Sequence, residues 1–121
     1  MGIKILSLSK NEDFKKILSG RKINNHYSTI FFKKLSYKNN NTLNISIITK
    51  RKLGKAVQRN KIKRRLKNII NYILKSIKIN LKYSYLIIAK KTVLDSKYDE
   101  IKQTILTDFK KILWSKLLIQ Y

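Results

Sequence analysis

The chain has 121 residues and carries 29 Lys plus Arg against 6 Asp plus Glu, for a net charge of +23. That length suits one domain with a real core, and 43% hydrophobic residues argue against a disordered basic tail. No Cys is present and His26 is alone, which excludes disulfides, thiolate metal sites, Cys nucleophiles and His-based triads. Taken in chain order, Ser9-Lys10-Asn11-Glu12 reads as a capping box that opens a short helix. Phe14, Ile17 and Leu18 fall on one face of that helix, and Gly20 ends it. Ile23 to Lys34 is rich in β-formers and reads as one or two strands. Tyr37 to Asn41 is a polar turn. Leu43, Ile45, Ile47 and Thr49 alternate with Asn44, Ser46, Ile48 and Lys50, the period of a half-buried strand. An antiparallel hairpin across the turn is expected.

Lys50 to Lys55 is a basic loop with Gly54 as pivot. A long helix is expected from Val57 to Ile79, with Ile62, Leu66, Ile69, Ile70, Ile73, Leu74 and Ile77 forming its apolar face. Tyr83 to Lys90 has the length and apolar content of a central strand. Asp95 to Asp99 is a polar connection, and a last helix runs from Tyr98 to Leu118 with Ile101, Ile105, Phe109, Ile112 and Leu117 inward. The expected architecture is α+β: one domain over 1–121, order α-β-β-β-α-β-α, a mixed sheet covered by helices. No linker, repeat or second domain interrupts it. The N-terminus lacks a signal-peptide core, and Tyr85 to Ala89, the longest apolar run, is far short of a membrane span. A soluble cytoplasmic protein with no membrane partner is expected.

The charge is unevenly spread. From Phe14 to Leu94, 81 residues, there are 22 basic residues and no acid. Such a domain repels itself unless a polyanion compensates, with nucleic acid ahead of an anionic membrane. The many Lys resemble the drift of an A+T-rich genome, so the five Arg are more informative. Arg51, Arg59, Arg64 and Arg65 lie within fifteen residues, and only Arg21 is elsewhere. On a helical wheel Asn60, Arg64, Lys67, Asn71 and Lys78 fall within about 60° of arc, flanked by Arg59 and Lys63. A merely solvated face mixes signs, whereas this one has no acid. Asn offers donors and acceptors to hydroxyls and base edges while the cations hold phosphates.

The run Lys50-Arg51-Lys52-Leu53-Gly54-Lys55-Ala56-Val57-Gln58-Arg59-Asn60-Lys61-Ile62-Lys63-Arg64 resembles the signature of the bacterial ribonuclease P protein subunit. That family carries Ser-Lys-Lys-x-Gly-x-Ala-Val-x-Arg-Asn-Arg-x-Lys-Arg-x-x-Arg. The likeness extends to Lys10–Phe14, to Tyr85–Lys90 and to the terminal helix, nearly the whole chain. It implies an α/β sandwich with a left-handed crossover around the basic helix. It implies the protein subunit of an endoribonuclease whose catalytic centre is RNA, with Mg²⁺ bound mainly by that RNA. The partners implied are the catalytic RNA subunit and the 5′ leader of precursor tRNA, with no obligate protein partner. The protein would raise substrate affinity and lower the metal requirement.

By resemblance, Arg59, Asn60, Lys63 and Arg64 keep the family pattern for RNA contact, while Lys61 and Lys67 replace its Arg and lose the bidentate fork. Arg51, Lys52 and Lys55 complete the candidate RNA-binding set. For the leader cleft, the resemblance points to Phe14, Phe31, Lys50 and Lys52, and to Leu18 where a second Phe is often found. Periodicity alone favours the core for Phe14 and Phe31, and the resemblance moves both to the cleft, where stacking suits a sequence-tolerant groove because every base has a π-face. No protein catalytic or metal residue is expected. Metal-assisted cleavage wants several converging carboxylates, Glu12 and Asp13 are adjacent, and Asp95, Asp99 and Glu100 suit a helix start. A ribosomal or other structural RNA-binding protein is the alternative reading, and an independent protein nuclease is disfavoured.

Overall fold

The structure, a computed structural model, describes the backbone of residues 4–6, 11–34 and 42–119 and the side chains of 13–34 and 43–113. In chain order the elements are β1 (Lys4–Leu6), α1 (Asn11–Leu18), β2 (Arg21–Asn24), β3 (Ser28–Lys34), β4 (Thr42–Ile48), a 3₁₀ turn (Arg51–Leu53), α2 (Ala56–Ser76), β5 (Tyr83–Ala89), α3 (Thr92–Asp95) and α4 (Tyr98–Ile119). The strands form one mixed sheet in the order β1-β4-β5-β3-β2. The α+β expectation holds, with β1 and α3 added. The capping box and the Tyr37–Asn41 turn fall outside the described residues, and so does the side chain of Leu117.

The continuous apolar run predicted as a central strand is β5, the middle of the sheet. It pairs antiparallel with β3 along its whole length and parallel with β4. This overturns the predicted hairpin. β3 and β4 are not partners, because the strand that is apolar on both faces takes the place between them. Alternation in β4 specifies faces, not neighbours. β4 is also more buried than half: Leu43, Asn44, Ile45 and Ser46 are all covered, since it lies between β1 and β5 with helices on both sides. By contrast the β2–β3 hairpin is local. Asn25 Oδ1 accepts the N–H groups of Tyr27 and Ser28, each at 2.7 Å, and this Asx turn reverses the chain.

The main core lies on one face of the sheet, where Ile62, Leu66, Ile69 and Ile73 of α2 and Ile101, Ile105 and Phe109 of α4 meet Ile30, Tyr85 and Ile87. The second face carries a smaller cluster built on Ile17 and Leu86, with Phe14, Phe31, Ile48 and Ile88 packed around it. Ile17 is the anchor of α1, fully buried and worth roughly 1.5–3 kcal/mol. Gly20 N–H closes on Ile17 O at 3.0 Å, where the helix was expected to stop.

α2 begins and ends for identifiable reasons. Gly54 has φ 138°, a left-handed conformation that turns the chain into the helix. Gln58 Oε1 then accepts the Lys55 N–H at 3.0 Å. The helix stops at Ser76, short of the predicted Ile79. Ser76 Oγ donates back to Tyr72 O at 2.9 Å, and Asn80 Oδ1 accepts the Lys82 N–H at 3.0 Å to turn the chain into β5. Ile79 is buried outside the helix. Among the described residues, no helix is long and apolar enough to cross a membrane.

Candidate nucleic-acid interface

The interface follows from what the sheet's second face leaves uncovered. Side chains alternate, so Phe31, Leu86 and Ser46 form one row across β3, β5 and β4, and Thr29, Ile88 and Ile48 form the next. α1 covers the first row through Ile17 and leaves much of the second open. A groove of about 510 Å³ wraps the β4 edge beyond its pairing with β1, from Phe14 of α1 on this face, past Ser46 and Ile48, to Lys63, Lys67 and Asn71 of α2 on the other. Its floor is apolar and one wall is cationic. Lys22 pairs with Phe31 across the β2–β3 hairpin and holds its ammonium 5.9 Å from that ring's centroid.

A second depression, at the end of β5, brings together Lys50, Lys52, Lys90 and Lys91 above Thr29 and Ile88. The basic loop before α2 and the start of α3 thus contribute to one cationic pocket. Lys90 is fixed there, its Nζ donating to Asn24 Oδ1 at 2.7 Å and Asn25 O at 2.6 Å. A third, shallower groove of about 390 Å³ lies on α2 itself, lined by Val57, Asn60, Lys63, Arg64 and Lys67. Val57, an apolar residue in that lining, is 77% exposed.

Most of the candidate residues are grouped by the fold. Asn60, Lys63, Arg64 and Lys67 share the outer surface of α2, Phe14 edges the main groove, and Lys50 and Lys52 line the second pocket. Arg51, Lys55 and Lys61 are exposed but line none of these depressions. Leu18 is 46% exposed at the end of α1 and likewise lines none. Phe31 is half-buried against the Ile17–Leu86 cluster. Arg59 is half-buried, with Nε enclosed and lacking a hydrogen-bond partner. Sequence reasoning missed Asn71 as a groove residue, and with it Ser46, Ile48, Lys90 and Lys91. The Lys90-Lys91 pair directly after an apolar strand was the readable signal.

Arg65 departs from the cluster of arginines it belongs to. Nη1 donates to Val93 O at 2.8 Å and Leu94 O at 3.1 Å, and Nη2 donates to Ser96 O at 2.8 Å. This guanidinium ties α2 to the end of α3, where unpaired carbonyls and the helix dipole favour a cation. Among the described residues, carboxylates also find partners within the fold. Asp108 is buried and accepts from Asn25 Nδ2 at 2.7 Å; Asp99 pairs with Lys102 at 3.5 Å. Asp13 is buried on α1. Among the described residues, no three His, Cys, Asp or Glu come together to hold a metal ion.

An acid-free cationic helix beside an apolar, aromatic-edged groove, on a mixed sheet covered by helices, defines a class: a small α+β domain with a strongly cationic surface. The family model for Ribonuclease P matches residues 4–113, and the chain belongs to that family. It is 33% identical over 106 residues to the ribonuclease P protein component of Alkaliphilus oremlandii, covering 87% of this chain and 89% of the relative. It is 38% identical over 112 residues to that of Fusobacterium nucleatum, covering 86% and 94%. The fold is that of the RNase P protein from Thermotoga maritima, with TM-score 0.72, 24% identity, and coverage of 88% and 96%. The Staphylococcus aureus RNase P protein matches with TM-score 0.70, 25% identity, and coverage of 88% and 94%.

Proposed function

We propose that this chain is the protein subunit of a ribonucleoprotein endonuclease that removes the 5′ leader from precursor tRNA in the cytoplasm, the chemistry belonging to the RNA subunit. Membership of the family supports the assignment to the holoenzyme. The observation that carries the leader reading is the groove between α1 and α2. A single strand needs a floor for bases and a wall for phosphates. Phe14 and Ile48 offer the first, and Lys63 and Lys67 the second. The outer surface of α2, with Asn60 and Arg64, faces the RNA subunit in this reading, and Lys50, Lys52, Lys90 and Lys91 receive leader phosphates.

Mg²⁺ in this reading is held by the RNA. The carboxylates of the described residues are not grouped as a metal site, and no step is assigned to a protein-bound ion. What the chain contributes is fixed positive charge, which raises precursor affinity and lowers the divalent ion needed to hold two polyanions together. The test is affinity for precursor against mature tRNA, with and without the protein bound to a bacterial ribonuclease P RNA. The protein should strengthen precursor binding at least ten-fold more than mature binding. Equal strengthening of both would remove the leader from the account.

A further inference from the structure

Lys63 and Lys67 line two depressions at once. Both belong to the groove that runs between α2, α1 and the sheet, together with Phe14, Ser46 and Asn71. Both also belong to the shallow groove on the outside of α2, together with Val57, Asn60 and Arg64. One helical turn separates them, about 6 Å along the axis, so they form a shared ridge where the two grooves adjoin along α2. The residues flanking the ridge differ in kind. The inner groove has an apolar floor and an aromatic edge; the outer one has Arg64 and Asn60. Among the described residues, no carboxylate lines either groove.

We infer that Lys63 and Lys67 are shared, holding phosphate from the leader towards Asn71 and from the RNA subunit towards Asn60 and Arg64, so that the two strands meet along one cationic row of α2. The inference rests on the proposed function and adds to it how the two RNAs are brought side by side. Two phosphate backbones in adjoining grooves along one helix repel each other, and a common row of cations where the grooves meet offsets that repulsion. Lysine suits the position. Its ammonium is a point charge with three rotatable donors on a flexible stem, so it serves two directions, whereas the planar fork of arginine commits to one acceptor pair. Lys67 is exposed and Lys63 half-buried, so neither is tied into the core.

The experiment compares the full chain with three variants: Lys63→Ala/Lys67→Ala, Phe14→Ala as the marker of the inner groove, and Arg64→Ala as the marker of the outer one. Each is titrated separately with a single-stranded oligoribonucleotide of leader sequence and with a bacterial ribonuclease P RNA transcript, over a range of salt, after circular dichroism shows that it is folded. The double lysine variant should lower the salt slope for both RNAs, by about 1.4 in log–log units for the oligonucleotide if two single-strand phosphate contacts are lost. Phe14→Ala should weaken only the oligonucleotide and Arg64→Ala only the transcript. If the markers behave this way but the lysine variant affects one RNA alone, the shared ridge is wrong while the proposed function stands. If neither marker separates the two RNAs, the two-groove reading of the function falls, and the ridge with it.

Discussion

Replacing Arg65 with Ala separates structural from RNA-facing arginine. The guanidinium makes three N–H···O contacts of 2.8, 3.1 and 2.8 Å to the carbonyls of Val93, Leu94 and Ser96. Hydrogen bonds from a charged donor contribute about 1.5–3 kcal/mol each, but two of these share Nη1 and the site is only half-buried. A net loss of about 2–4 kcal/mol follows, with the carbonyls at the end of α3 left to water. For a domain of this size that corresponds to a fall in Tm of roughly 10 °C. Arg65→Lys keeps the charge without the fork and should recover less than half of the loss. Thermal melts by circular dichroism at fixed salt read the stability, and RNA affinity is measured well below the transition. Arg65→Ala should melt early and bind RNA nearly as tightly as the wild type. A melt within about 2 °C of the wild type together with lost RNA affinity would refute the assignment.

Three other substitutions test the leader contact implied by the resemblance, the start of α2 and the core. Phe31→Ala should weaken precursor binding by roughly ten-fold relative to mature tRNA, the scale of one lost base stack, whereas equal loss for both would leave Phe31 a packing residue only. Gly54→Ala should destabilise the fold by about 1–2 kcal/mol in chemical denaturation, because φ is +138° and a Cβ there runs into Gln58; Gln58→Ala in the same chain should relieve the contact but not the backbone strain. Burial pushes the Tyr85 phenol well above the ordinary tyrosine range, with Tyr83 adding to the shift, and its hydroxyl donates to Asn80 O at 2.7 Å. The folded state therefore holds this proton longer than the unfolded state. Its stabilisation is complete below about pH 10 and is lost as pH rises further, so Tyr85→Phe should flatten the alkaline limb of a stability–pH curve.

What could be read from the chain divides along the range of the interactions. α2 and β5 follow from local pattern: Ile62, Leu66, Ile69 and Ile73 recur at helical spacing, and Tyr85 to Ala89 is apolar throughout. The neighbours of β4 could not be read this way, because Leu43, Ile45 and Ile47 say which face is buried and nothing about which strand lies alongside. Arg65 shows the same limit at a single residue. It sits between Arg64 and Leu66, and the carbonyls that claim it are 28 to 31 positions away. The outer surface of α2 was legible because an acid-free helix face needs only the helix. The inner groove was not, since Phe14, Ser46, Ile48 and Asn71 come from three elements that meet only after β5 has taken the centre of the sheet.

The central claim is that this chain assists an RNA enzyme in removing 5′ leaders. It is tested most directly by mixing the purified protein with a bacterial ribonuclease P RNA at Mg²⁺ too low for the RNA alone, and following release of the leader from precursor tRNA. The account predicts cleavage at the mature 5′ end that requires both components and weakens as salt rises, since log affinity falls by about 0.7 to 0.9 per phosphate neutralised for each unit of log salt. Cleavage no faster than with the RNA alone, under conditions where the protein is folded and bound to that RNA, would contradict it.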